Sequence, residues 1–132
     1  MEATELRIGN YVNHNAYKTY KQGVIRTINH STCCITAIGD NYKIDTIKLK
    51  SIEPIPLTPG WLTKMGFIRE GEWVILTFSP RMGIRFYNGN PGECDIVQDG
   101  KYIAFKQGHI KYVHQLQNLY FALAGEELTI KL

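Results

Sequence analysis

Cysteine is scarce in this chain and poorly placed for structural work. There are three, Cys33 and Cys34 side by side and Cys94 far downstream. An odd count with an adjacent pair is no disulfide framework, and no CxxC spacing offers a zinc knuckle. Neighbours on a strand point to opposite faces, so Cys33 and Cys34 are not placed to ligate one ion together. Buried, inert thiols are the expectation. Long apolar runs are also missing, and none approaches the roughly 20 residues that span a bilayer. The opening "MEATELRIGN" has neither the basic start nor the apolar stretch of a signal peptide, so a cytoplasmic protein is expected, with no membrane partner.

Catalytic constellations are missing as well. The four histidines, His14, His30, His109 and His114, show no HxH or HExxH spacing. "NGNPGE", around Gly89 and Gly92, lacks the Lys and Ser/Thr of a phosphate-binding loop and reads as a turn. Glu126 and Glu127 are adjacent on a tail, not opposed across a cleft as acid–base pairs must be. Cys33 or Cys34 beside His30 imitates a thiol–imidazole pair only weakly. No enzyme, cofactor or metal site is therefore expected.

Acidic side chains are absent between Glu5 and Asp40, a window that holds Arg7, Lys18, Lys21 and Arg26. The net charge of +3 is modest, so any positive field is local to this end of the chain. Within the window, "NAYKTYKQG" interleaves Tyr17 and Tyr20 with Lys18 and Lys21, and Arg26 follows. Rings that stack on bases, alternating with cations for phosphates, are a common means of holding nucleotides. Arg81 and Arg85 in "SPRMGIRFY" form a second candidate cationic spot. The bland alternative is that the tyrosines pack their rings on the sheet and the lysines keep a loop soluble.

What the chain does contain is enough apolar material to fold. At 132 residues, 44% hydrophobic and 20% charged, it has the make-up of one ordinary domain or two very small ones. "LRIGNYV", "GVIRTIN", "CCITAIG" and "YKIDTIKL" read as short strands separated by tight turns. Their spacing suggests a small curled sheet that looks like the opening of an SH3-like barrel. In "PIPLTPGWLTKMGF", Thr58 stands at an N-cap, Pro59 at the first helical position and Gly66 past the end, so a two-turn helix is expected with Trp61 in the core. "EWVILTF", "GIRFYNG", "CDIVQ" and "KYIAF" then read as a meander, with Asp99-Gly100 as a two-residue hairpin turn. A short strand "HIKY" should follow. The class is thus α+β. Residues 1–57 are expected to form an SH3-like β-barrel, and residues 58–132 a helix, a β-meander and a closing C-terminal helix. The two parts either pack side by side or share one core.

"HIKYVHQLQNLYFALAG" carries the clearest helical period. Tyr112, Val113, Leu116, Leu119, Tyr120 and Leu123 fall on one side, as in a helix laid across a sheet, and Gly125 is a natural stop. Phe121 lies on the opposite side with His114, Gln117 and Asn118. Such a polar stripe with one aromatic can dock a partner. Alternatively the face is covered, either by the barrel or by the tail "EELTIKL", whose alternating Leu128, Ile130 and Leu132 could fold back as a strand over Phe121.

"YVHQLQNLYFALAGEEL", together with "LRIGNYV" and "PIPLTPGWLTKMGF", resembles a family of small uncharacterised phage, prophage and mobile-element proteins of gut anaerobes. The resemblance implies an accessory protein acting in the cytoplasm of a host bacterium and carries over no catalytic residue. Combined with the cationic tyrosine-rich window, the expectation is a non-catalytic protein that binds a small anionic nucleotide-like ligand and sequesters a host-defence signal. Two alternatives stay open: a module that docks on a host protein, and a nucleic-acid-binding accessory protein, which the modest charge disfavours. A homo-oligomer is the default assembly.

Overall fold

The computed structural model describes every residue except 19, 20, 40, 41, 92 and 105–109. The chain is mixed α+β, mostly strands, with two α-helices among the described residues. After a 3-10 turn at Ala3–Glu5 come β1 (Tyr11–His14), β2 (Gln22–Ile28), β3 (Thr32–Ala37) and β4 (Lys43–Lys48), then a 3-10 turn at Leu49–Ser51 and β5 (Ile52–Glu53). These form one antiparallel sheet in the order β4-β3-β2-β1-β5. Register shifts between Ile25 and Thr27 and between Cys33 and Ile35 add local bend and twist, and the sheet curls. Its concave side encloses Val12, Ile25, Ile35, Ile47 and Ile52.

The second half begins with α1 (Pro59–Lys64). Pro59 occupies the first helical position and the Thr58 hydroxyl accepts from the Trp61 N–H at 3.3 Å. A meander of β6 (Ile68–Glu70), β7 (Trp73–Ser79), β8 (Met82–Tyr87), β9 (Cys94–Gln98) and β10 (Lys101–Ala104) follows, every strand antiparallel to its neighbour. Asp99 and Gly100 both have positive φ, 51° and 77°, the backbone of a type I′ hairpin turn. One face of this sheet supplies Val74, Leu76, Ile84 and Phe86 to a second core, which Trp61, Leu62 and Met65 of α1 also enter.

The chain closes with α2 (Val113–Ala124). No Ser, Thr, Asp or Asn caps it. The Gln115 side chain reaches back instead, accepting from the N–H groups of Lys111 and Tyr112 at 2.8 and 3.1 Å. Gly125, at φ 75°, ends the helix and donates to Phe121 O. Val113, Leu116 and Tyr120 are buried in the second core with Leu119 and Leu123 at its margin, as the helical period implied. The expected strand at "HIKY" is not one over its described part. His109 lies outside the described residues, and Tyr112 makes an isolated bridge to Pro56. Nor does the tail form a strand: after Gly125 it runs irregularly, burying Leu128 in the second core and donating Lys131 N to Lys64 O.

The polar side of α2 meets the chain's own beginning. Gln117, only 1% exposed, accepts from Tyr11 N at 2.8 Å and donates to Gly9 O at 3.0 Å. Asn118 Oδ1 accepts from Asn10 Nδ2 at 2.8 Å and from Arg7 Nε at 3.2 Å. Arg7 pairs with Glu127 and lies over the Phe121 ring at 4.2 Å. Beside these contacts the Tyr11 ring meets Trp61 edge-on at 6.1 Å. The segment before β1 is thus held to the second core by side-chain amides.

Three substitutions separate these contributions. Leu116→Ala should cost on the order of 2–5 kcal/mol in urea denaturation. Gln117→Leu should cost about 1–3 kcal/mol for each of the two backbone groups it orphans. Phe121→Ser should lose only about 1 kcal/mol, because Arg7 sits on a partly exposed ring. An equal loss for Gln117→Leu and Phe121→Ser would contradict this ranking.

Candidate functional site

The meander has two faces, and only one is used by the core. Strand alternation turns Trp73, Ile75 and Thr77 of β7 outward, with Gly83, Arg85 and Tyr87 of β8 beside them. The pairings continue the rows: Arg85 stands opposite Asp95, and Gly83 opposite Val97, itself opposite Tyr102. Residues distant in sequence are thereby gathered on one surface.

Arg85 organises that surface. Its guanidinium carbon lies 3.5 Å from the Trp73 ring centroid and 3.7 Å from that of Tyr102. At such distances two rings cannot share one side of a flat cation, so Arg85 is sandwiched. Its edge is taken by Asp95, whose Oδ2 accepts from Nη2 at 2.8 Å and from Nε at 3.1 Å. The two side chains are only 14% and 17% exposed, a setting in which such a pair is far less screened than on an open surface. Trp73 in turn meets Tyr87 edge-on at 5.4 Å. With one face on Arg85, Tyr102 remains 60% exposed and offers ring surface to solvent.

Beside this stack is a depression of about 320 Å³, lined by Thr77, Gly83, Val97 and Tyr102, with Arg81 and Glu70 also bordering it. Glycine matters at position 83: a Cβ there would lie 3.0 Å from Leu76 O and 3.5 Å from Thr77 Oγ1. It would crowd the neighbouring strand. Arg81 is held near the depression by the turn, where Ser79 Oγ accepts from the N–H groups of Arg81 and Met82. Its partner Asp99 is 3.6 Å away and both are well exposed, so this pair contributes little and a ligand can displace it.

The sequence-derived candidates fall in separate places. Arg81 and Arg85 line the same depression. Tyr17 and Lys18 are on the exposed loop after β1, where Tyr17 touches the His14 ring edge-on at 6.1 Å. Lys21 borders a larger cleft of about 620 Å³ with Asn13, Asn15 and Glu53. Glu53 of that cleft accepts from Asn15 Nδ2 at 2.7 Å, and no tyrosine or tryptophan is among its described lining residues. Arg26 is on β2, roughly 13 Å beyond Gln22 at the usual strand rise, with its Nε donating to Thr36 Oγ1. Tyr20 lies outside the described residues. Among the described residues, Lys21 and the Arg81–Arg85 spot line different cavities.

The proposed partner face of α2 needs correction. Gln117 and His114 are buried, at 1% and 3% exposure, and Asn118 is engaged by Asn10 and Arg7. The face binds residues 5–11 of the same chain. Phe121 is 40% exposed, and what lies on it is Arg7, not the tail strand that was the alternative. Sequence reasoning also missed Trp73, Asp95 and Tyr102. Their signal was present in the period-two alternation and the Asp99-Gly100 turn, which together fix Tyr102 opposite Val97.

Other titratable groups follow from burial. Cys33, Cys34 and Cys94 are all buried thiols, and burial pushes Cys94 up to about 12. The chain matches no protein-family model, no curated protein and no solved structure. No helix among the described residues is long and apolar enough to cross a membrane.

His114 gives the fold a pH dependence. Burial lowers its pKa, only partly offset by the nearby Glu5 carboxylate, and its Nδ1 has no hydrogen-bond partner. The unfolded chain therefore takes up the proton first, at about pH 6.5. Above that pH both states are neutral and stability is complete; it is lost as pH falls from 6.5 through the lower folded value. The urea midpoint should drop between pH 7.5 and 5.5, and His114→Leu should flatten that drop. A variant with the full wild-type slope would contradict this assignment.

Proposed function

We propose that the protein is a non-catalytic binder of an anionic, flat, nucleotide-like molecule, held on the outer face of the meander. The observation that carries this reading is the exposed Tyr102 ring, backed by Arg85 and Trp73, beside a depression that Arg81 borders. A ring fixed from behind offers stacking area at little entropic cost, since its own rotamer is already set. The exposed Arg81 supplies the countercharge. Ligand sites of this kind occupy roughly 300–1,000 Å³, which puts this depression at the small end. The resemblance to phage and mobile-element proteins supports an accessory role, sequestration of a host-defence signal, in which tight holding without turnover is the useful property.

The first sheet is read as an SH3-like barrel. Support comes from its strand order, β4-β3-β2-β1-β5, and from the 3-10 turn between β4 and β5. A second reading, a module that docks on a host protein, draws on the exposure of Ile68 and Ile103 in the two outermost strands of the meander, at 61% and 51%.

Calorimetry with a panel of cyclic and linear nucleotides should give stoichiometric binding and return the ligand chemically unchanged. Tyr102→Ala should weaken binding by about 1–3 kcal/mol, the usual contribution of one stacked base. No heat with any nucleotide, or a ligand recovered altered, would remove this reading. Capture of a host protein that depends on Ile68 and Ile103 would favour the second.

A further inference from the structure

We propose that the depression beside Tyr102 is matched to a single nucleotide unit whose phosphate is a singly charged diester, and that it discriminates against phosphomonoesters and polyphosphates. This rests on the reading above and adds a ligand class to it.

Charged side chains are few among the described residues around the depression. Two cations border it, Arg81 and Arg85, and one carboxylate, Glu70. Arg85 is already matched. Asp95 takes two of its N–H groups at 2.8 and 3.1 Å, and Trp73 and Tyr102 cover both flat sides. The pair is therefore close to neutral as seen by a ligand. Arg85 acts as a positioning residue, fixing the Tyr102 ring, and the work of receiving the phosphate falls to Arg81.

Among the described residues, Arg81 has the exposed Asp99 at 3.6 Å as its competitor. A single weakly paired cation of the described lining then faces one negative charge. A diester carries that single charge at neutral pH, whereas a phosphomonoester carries about −1.5 to −2 and a triphosphate more. Each further charge finds no other cation along the described lining and approaches Glu70. Repulsion between unit charges a few ångströms apart in a partly solvated setting changes affinity on the order of tenfold. Size argues the same way. About 320 Å³ is near the lower bound for a ligand site, so one base with its sugar and phosphate fills it, and further nucleotides would lie outside.

The test uses the full chain in low salt at pH 7.5. Its probes are a 3′,5′-cyclic monophosphate, the 5′-monophosphate and the 5′-triphosphate of the same base, run separately for adenine and guanine. The cyclic diester should bind about tenfold tighter than the 5′-monophosphate, with the triphosphate weaker still. Glu70→Gln should narrow the gap by improving the monophosphate, and Arg81→Gln should weaken the diester about tenfold. Both side chains are exposed, and circular dichroism checks that each variant is folded. Affinity that is equal for the three, or rises with phosphate number, while still falling in Tyr102→Ala, overturns the diester preference and leaves the stacking site standing. Binding in the expected order that ignores both Arg81→Gln and Tyr102→Ala overturns the location. Absence of binding by all probes overturns the nucleotide reading together with this inference.

Discussion

The buried amide of Gln117 joins the C-terminal helix to the segment that leads into the first sheet. Its oxygen accepts from Tyr11 N and its nitrogen donates to Gly9 O, so a helix near the C-terminus completes the hydrogen bonding of the segment that leads into β1. A buried amide left without partners is costly, which fixes the approach of the first sheet to α2 more tightly than apolar packing alone can. Asn118, Asn10 and Arg7 extend the same network toward solvent, and the Arg7–Glu127 pair ties in the tail. Gln117 and His114 on this side of α2 are committed inward, which leaves chiefly the Phe121 ring edge for an external contact.

The meander provides another place. Its inner face is filled by Ile84, Phe86 and their neighbours, so its outer face is free to carry chemistry without weakening the core. Nature of the side chains matters more than their number. Arg85 between two rings and against Asp95 is a stiff, nearly neutral rib, while Arg81 at the turn is exposed and weakly paired. A rigid ring next to an available cation is the combination that recognises a flat anion: stacking sets orientation and the charge adds attraction.

Local features of this fold were legible in the sequence because local chemistry determines them. Thr58-Pro59 starts α1, Gly125 stops α2, and Asp99-Gly100 closes a hairpin, each by backbone preference alone. The buried stripe of α2 followed from its period. Harder to read was the polar stripe, since Gln117 and Asn118 have partners more than a hundred residues away and nothing in a helical wheel distinguishes an internal docking face from an external one. The candidate site was half legible. Arg81 and Arg85 stood out as cations, but the use of Arg85 depends on Asp95 and Tyr102, which only the strand register brings alongside. The N-terminal tyrosines and lysines drew notice through composition, and composition says nothing about which of them share a surface.

The proposed recognition surface is the outer face of the meander, not α2 or the loop after β1. Backbone amide shifts measured by NMR during titration with the tightest-binding nucleotide test it directly. Changes should concentrate at residues 77–85 and 95–102, with Gly9, Tyr11 and residues 114–118 unmoved. Changes centred on Tyr17 and Lys21, or along the Gln117 contact, would contradict it.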